Sequence, residues 1–151
     1  MSLLKRIDED LVKALKARDQ LKTTLLRGLK SDIKYKKIEK MDELNDDEII
    51  AVLSSAAKRR KDSIEQFRAG NRQDLVDKET AELNFITEYL PEQLTEDKLR
   101  ELIQESIEAT GADSPAKVGL VMKDLMPKVK GKADGKLANR LVSDMLSKAE
   151  D

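Results

Sequence analysis

Between Met122 and Gly135 the chain reads MKDLMPKVKGKADG, with Lys128, Lys130 and Lys132 at alternate positions around Gly131. Alternate lysines in an extended segment splay to both sides and suit an anion that the segment wraps around, since an ammonium group pairs with a phosphate oxygen as a point charge. The chemistry on offer is therefore binding of a polyanion. The helix start that follows is a poor seat for phosphate, because Asp134 is its natural N-cap and its carboxylate occupies the free amides. The lysine side chains and the amides around Gly131 are left to hold an anion.

Residues that could carry a reaction are scarce. The chain has no cysteine and no histidine, which removes disulfides, thiolate and imidazole metal sites, thiol nucleophiles and the commonest general base. The S-x-x-K spacing of serine acylases occurs at Ser31/Lys34, Ser55/Lys58 and Ser114/Lys117 without its companion motifs, and no catalytic residue is assigned from it. Neither glycine-rich phosphate loop, G-x-x-x-x-G-K-[ST] or G-x-G-x-x-G, is present. The acidic stretches Asp42 to Glu48 and Glu88 to Asp113 are read as caps and solvated helix faces, so no metal and no cofactor is expected. Lys58-Arg59-Arg60-Lys61 lies inside a helix and points around its whole circumference, with Arg60 inward. Of the four aromatics, Tyr35, Phe67, Phe85 and Tyr89, Phe67 falls on an inward stripe; a stacking platform for single strands is not expected, and a folded RNA read through its backbone fits better.

The elements that must position the basic run are helices. An apolar repeat at Val118, Val121, Met122 and Leu125 should stop near Met126, before Pro127, and Asp134-Gly135 opens another at Leu137, Leu141 and Met145. Further back, Ser2 caps a helix with Leu4, Ile7, Leu11 and Leu15 inward. Asp19 precedes Leu21, Leu25, Leu29 and Ile33, giving two helices with little loop between them or one bent helix; the second carries Arg27, Lys30, Lys34, Lys36 and Lys37 outward. Asn45 and Glu48 form a capping-box start for a third helix along Ile49, Leu53, Ala56, Arg60, Ile64 and Phe67, closed by Gly70 as its C′ residue. A fourth helix runs from Arg72 to Tyr89, with Val76, Leu83, Ile86 and Leu90 inward. Pro91 marks a seam, Thr95 caps a helix with Leu99, Leu102, Ile103 and Ile107 inward, Gly111 ends it, and Ser114-Pro115 starts the next. The expected fold is all-α: an N-terminal antiparallel helical bundle over residues 1–90 and a small three-helix module over 91–151.

Composition agrees with helices. Hydrophobic and charged residues are 39% each and aromatics only 3%, too apolar for disorder and too poor in turn residues for a sandwich or barrel. The net charge of −1 hides a partition along the chain: residues 1–41 carry net +6, 42–57 net −5, 58–78 net +3, 79–113 net −8 and 114–151 net +3. No apolar run could span a bilayer, and the charged N-terminus lacks a signal-peptide core, so no membrane partner and a cytosolic location are expected.

The pairing of YLPEQL at Tyr89 to Leu94 with GLVMKDLMPKVKGKADG at Gly119 to Gly135 resembles the GatB/YqeY family. LKARDQLKTTLLRGLKSDIKYKKIE at Leu15 to Glu39 resembles the free-standing members, so the likeness covers nearly the whole chain. The resemblance implies a C-terminal module similar to the tail of the B subunit of tRNA-dependent amidotransferase, which helps grip tRNA near its elbow. Carried over by position, the RNA-binding candidates are Lys123, Lys128, Lys130, Gly131, Lys132, Lys136 and Arg140. Where the family often has arginine, this chain has Lys132, which meets phosphate but not in bidentate fashion. The resemblance implies an accessory protein that binds tRNA or another folded RNA and has no catalysis of its own. The alternative is a helical adaptor that docks on an aminoacyl-tRNA synthetase or amidotransferase; carbon–nitrogen ligase activity would be inherited only by association.

Overall fold

Four helix starts are set by side-chain oxygens that take otherwise unpaired backbone amides. Ser2 Oγ accepts from Lys5 N at 3.2 Å, Asp19 Oδ1 from Lys22 N at 3.1 Å and Thr95 Oγ1 from Lys98 N at 3.2 Å. Asn45 Oδ1 accepts from Glu48 N at 2.9 Å while Asn45 N donates to the Glu48 carboxylate at 3.1 Å, a reciprocal capping box. In the computed structural model, which describes residues 2–150, these caps open α1 (Leu3–Lys16), α2 (Gln20–Lys40), α3 (Asp46–Ala69) and α5 (Glu96–Thr110). The remaining helices are α4 (Gln73–Thr87), α6 (Val118–Val129) and α7 (Gly135–Glu150), with a 3-10 turn at Pro115–Lys117 before α6. The fold is all-α, and no strand occurs among the described residues.

The chain divides into two compact units at Leu90–Pro91. In the first, α1 packs on α2 and α3, and α3 packs on α4 along its length. Its core gathers Leu3, Ile7, Ala14, Leu25, Leu26, Leu29, Ile33, Ile49, Leu53 and Ile86. The connection at residues 17–19 resolves the choice left open by the sequence: α1 and α2 are separate helices. Ion pairs tie neighbouring helices, Lys30 to Asp8 at 2.7 Å and Arg59 to Asp32 at 2.9 Å. Arg60 reaches Glu82 on α4 at 3.4 Å, both largely shielded from solvent. Tyr89, just beyond α4, is buried, donates its hydroxyl hydrogen bond to Asp10 and lies under the Arg6 guanidinium, 4.8 Å from the ring centroid. Burial first and the Asp10 carboxylate second push its phenol well above the usual range.

In the second unit α5, α6 and α7 pack around Leu99, Ile103, Val121, Leu125, Val129, Leu141, Val142 and Leu146. Gly111 closes α5 in the left-handed region at φ 69°.

Four local expectations change. Pro127 does not stop its helix at Met126: α6 continues to Val129, because Val129 is fully buried and its packing holds one more turn despite the missing proline donor. Leu15 and Leu21 are exposed; Leu3 and Ala14 take the inward positions of α1. Gly70 is the C-cap of α3 at φ −87°, and Asn71 is the residue that enters the left-handed region, at φ 56°. Ser114 makes no side-chain cap, since Pro115 begins a 3-10 turn in place of an α-helix. No helix among the described residues is long and apolar enough to cross a membrane.

Candidate nucleic-acid interface

The lysine-rich run is a turn, not an extended strand. Lys132 N donates to Val129 O at 2.8 Å, with Lys130 at φ −56°, ψ 123° and Gly131 at φ 75° between them. That is type II turn geometry, which needs a residue at positive φ in its third position, and glycine supplies it without steric cost. Ala133 N also donates to Val129 O at 3.1 Å, and Lys130 N donates to Met126 O at 3.0 Å. The amides of Lys130, Lys132 and Ala133 are therefore already engaged, which leaves the side chains and the Gly131 amide to hold an anion.

The carbonyl side of the turn is tied down by the proline seam. Gln93 Nε2 donates to Gly131 O and to Pro91 O, each at 2.8 Å, and Leu94 N donates to Lys132 O at 2.9 Å. The proline-seam segment Pro91 to Leu94 and the lysine-rich turn thus meet in space: two hydrogen bonds join them, and the third, within the seam, orients the Gln93 amide.

Lys123, Lys128, Lys130, Lys132, Lys136 and Arg140 are all exposed, and Gly131 is half-buried. Lys123 lies on α6, and Lys130 is the residue that caps its C-terminal end. Lys136 and Arg140, four apart, share a face on the first turns of α7, and Lys132 lies between the two pairs in the chain. Lys128 points elsewhere: its Nζ is 3.4 Å from the Asp124 carboxylate one turn back. The buried Ser106 hydroxyl of α5 holds that carboxylate below its usual range; the hydroxyl makes no hydrogen bond of good geometry but lies near it. Among the described residues the other five cations make no ion pair, and the acids of residues 79–113 do not neutralise them. Asp134 Oδ1 accepts from Lys136 N at 3.1 Å, so the α7 start is capped from within.

Sequence reasoning missed Gln93 and Asp124, which act on the turn and on Lys128 through contacts 38 and 4 residues away in the chain. It also grouped Tyr35 with aromatics unfit for stacking, yet Tyr35 is 73% exposed, while Phe85 packs edge-on to buried Tyr89 at 5.6 Å. Among the described residues no group of three or more carboxylates could hold a metal.

The family model of Yqey-like proteins matches residues 4–146. The chain belongs to the YqeY-like family. Among curated relatives, this YqeY-like protein is 41% identical over 85 residues to altered inheritance of mitochondria protein 41 of Lachancea thermotolerans, covering 56% of this chain and 46% of the relative. The proteins of the same name from Kluyveromyces lactis and Saccharomyces cerevisiae strain YJM789 are 38% identical over 84 residues and 40% over 91. These matches cover 55% and 60% of the YqeY-like chain, and 45% and 48% of those relatives. The match thus spans about half the length of the curated relatives. Their names place those proteins in mitochondria, which overturns the cytosolic expectation. That expectation rested on the composition of the N-terminal residues, and the physics that folds a helical domain is indifferent to its compartment.

Proposed function

We propose that this YqeY-like protein is an accessory RNA-binding protein that grips tRNA or a similarly folded RNA through the α6–α7 turn, without catalysis of its own. The observation that carries the reading is a pinned turn presenting exposed cations that no carboxylate among the described residues answers, Lys123, Lys130, Lys132, Lys136 and Arg140. Fixing the turn beforehand lowers the ordering cost of binding, and lysine contacts to phosphate release counterions whatever the base sequence. With the amides of Lys130, Lys132 and Ala133 engaged, contact falls to the ammonium groups, the Arg140 guanidinium and the Gly131 amide.

The test is a salt titration of tRNA binding. Binding weakens as salt rises, and replacing Lys130, Lys132 and Lys136 by glutamine flattens the slope by up to about three counterions. An unchanged slope removes the turn from the interface. The adaptor reading predicts instead a co-purifying protein that resists nuclease and high salt.

A further inference from the structure

The first unit holds a second feature that the turn does not explain. A groove of about 580 Å³ runs between α2 and α3, lined by Asp32, Tyr35, Lys36 and Glu39 on one side and by residues including Val52, Ser55 and Lys58 on the other. Tyr35 stands at its edge with 73% of its surface free, whereas Tyr89 is buried and Phe67 and Phe85 are half-covered. An aromatic ring left in water on a folded surface loses the burial that normally stabilises it, and a flat partner would restore that burial.

The charges around the groove narrow the partner. Two of the lining carboxylates are already answered, Asp32 by Arg59 at 2.9 Å and Glu39 by Lys36 at 3.4 Å. Lys58 in the lining and Lys34 beside Tyr35 make no ion pair among the described residues, and Asp62 is the lining acid without a paired cation there. Within the lining Lys58 and Asp62 offset each other, and Lys34, next in the chain to Tyr35 but outside the lining, leaves one positive charge in excess beside the open ring. Gly28, Asp32, Tyr35 and Glu39 fall at i, i+4, i+7 and i+11 along one side of α2, so Gly28 continues the line of the groove one turn back. A Cβ at Gly28 would meet nothing within 4 Å, so internal packing does not demand glycine there.

We propose that the α2–α3 groove seats an unpaired RNA base stacked on Tyr35, with its phosphate answered by Lys34 or Lys58. A cavity of this size accommodates a nucleotide, stacking on tyrosine tolerates any base, and the cations match the charge of the backbone. This rests on the RNA-binding reading but uses different residues, so the two fail separately.

The chain has two tyrosines and no tryptophan, so the signal lost in Tyr35→Leu identifies the part of the tyrosine emission that comes from Tyr35. Unfractionated tRNA titrated into the full chain should quench that emission. Tyr35→Leu should bind about five- to a hundredfold more weakly, the range expected for one lost base–aromatic stack, with the salt slope unchanged. Gly28→Met, which adds bulk at the end of the groove without changing charge, should weaken binding in the same way, and circular dichroism should show both variants folded. Wild-type affinity in both variants, with a salt slope that still depends on Lys130, Lys132 and Lys136, would overturn the groove and leave the turn standing. Salt-independent or absent tRNA binding by the wild type would bring down both. Protection of Tyr35 by a co-purifying protein and not by tRNA would assign the groove to a protein surface and overturn the proposal.

Discussion

Gly131 shows how one residue sets the shape of the cationic turn. At φ 75° a side chain meets the steric penalty of the left-handed region, about 1–2 kcal/mol. Gly131→Ala should lower stability by that amount in urea denaturation while leaving every lysine in place. Tyr89 is the corresponding point in the first unit. Tyr89→Phe strips Asp10 of its partly buried donor and should cost about 1–3 kcal/mol. The pH dependence follows from the raised phenol. The folded chain keeps the Tyr89 proton above the ordinary value of 10.0, at which the unfolded chain releases it, so stability falls as pH rises past that value. Thermal melts of Tyr89→Phe between pH 9 and 11 should fall less steeply than those of the wild type. Glu79 behaves in the same sense at lower pH: burial first and neighbouring Glu82 second raise its carboxyl, so its ionisation costs stability above the usual glutamate range. Glu79→Gln should melt higher than wild type at pH 7, and the gain should vanish on acidification below pH 4.5, the ordinary value.

At the scale of elements, the decisive contact is between the seam and the turn. Gln93 donates to two carbonyls at 2.8 Å, and among the described residues no other side chain bonds to the turn's backbone carbonyls. Gln93→Leu keeps the volume and removes the donor. It should speed hydrogen exchange at the Leu94 amide and weaken tRNA binding at constant salt slope, because the cations remain but their arrangement must be ordered on binding. Exchange unchanged at Leu94 would show that the backbone bond to Lys132 O suffices alone. The same scale explains why α6 outruns its proline. Helix propensity ends the element at Met126, but Val129 is anchored in a core that includes Leu125 and Val142, and packing outweighs one lost hydrogen bond.

At the scale of the whole molecule, a net charge of −1 means that attraction for RNA must come from local fields. In the second unit the exposed acids Asp97 and Glu105 of α5 make no ion pair among the described residues, so their charge subtracts from the unit's positive field. Glu105→Gln should tighten tRNA binding at low salt, and the gain should fade near physiological ionic strength, where the screening length is about 8 Å.

By itself the sequence determined the all-α class, the caps at Ser2, Asp19, Asn45 and Thr95, the family and the cationic run around Gly131. These are local: a cap reaches three residues, a helical stripe repeats every three or four, and a motif is contiguous. Only the tertiary structure decided that Gln93 grips Gly131, that Asp124 takes Lys128 while its neighbours stay free, and that Tyr35 faces water where Tyr89 is buried. Those outcomes depend on which helices pack against which. Both tyrosines sit in charged sequence, Tyr35 in α2 and Tyr89 just beyond α4, and what separates them is the face of the fold onto which each one turns.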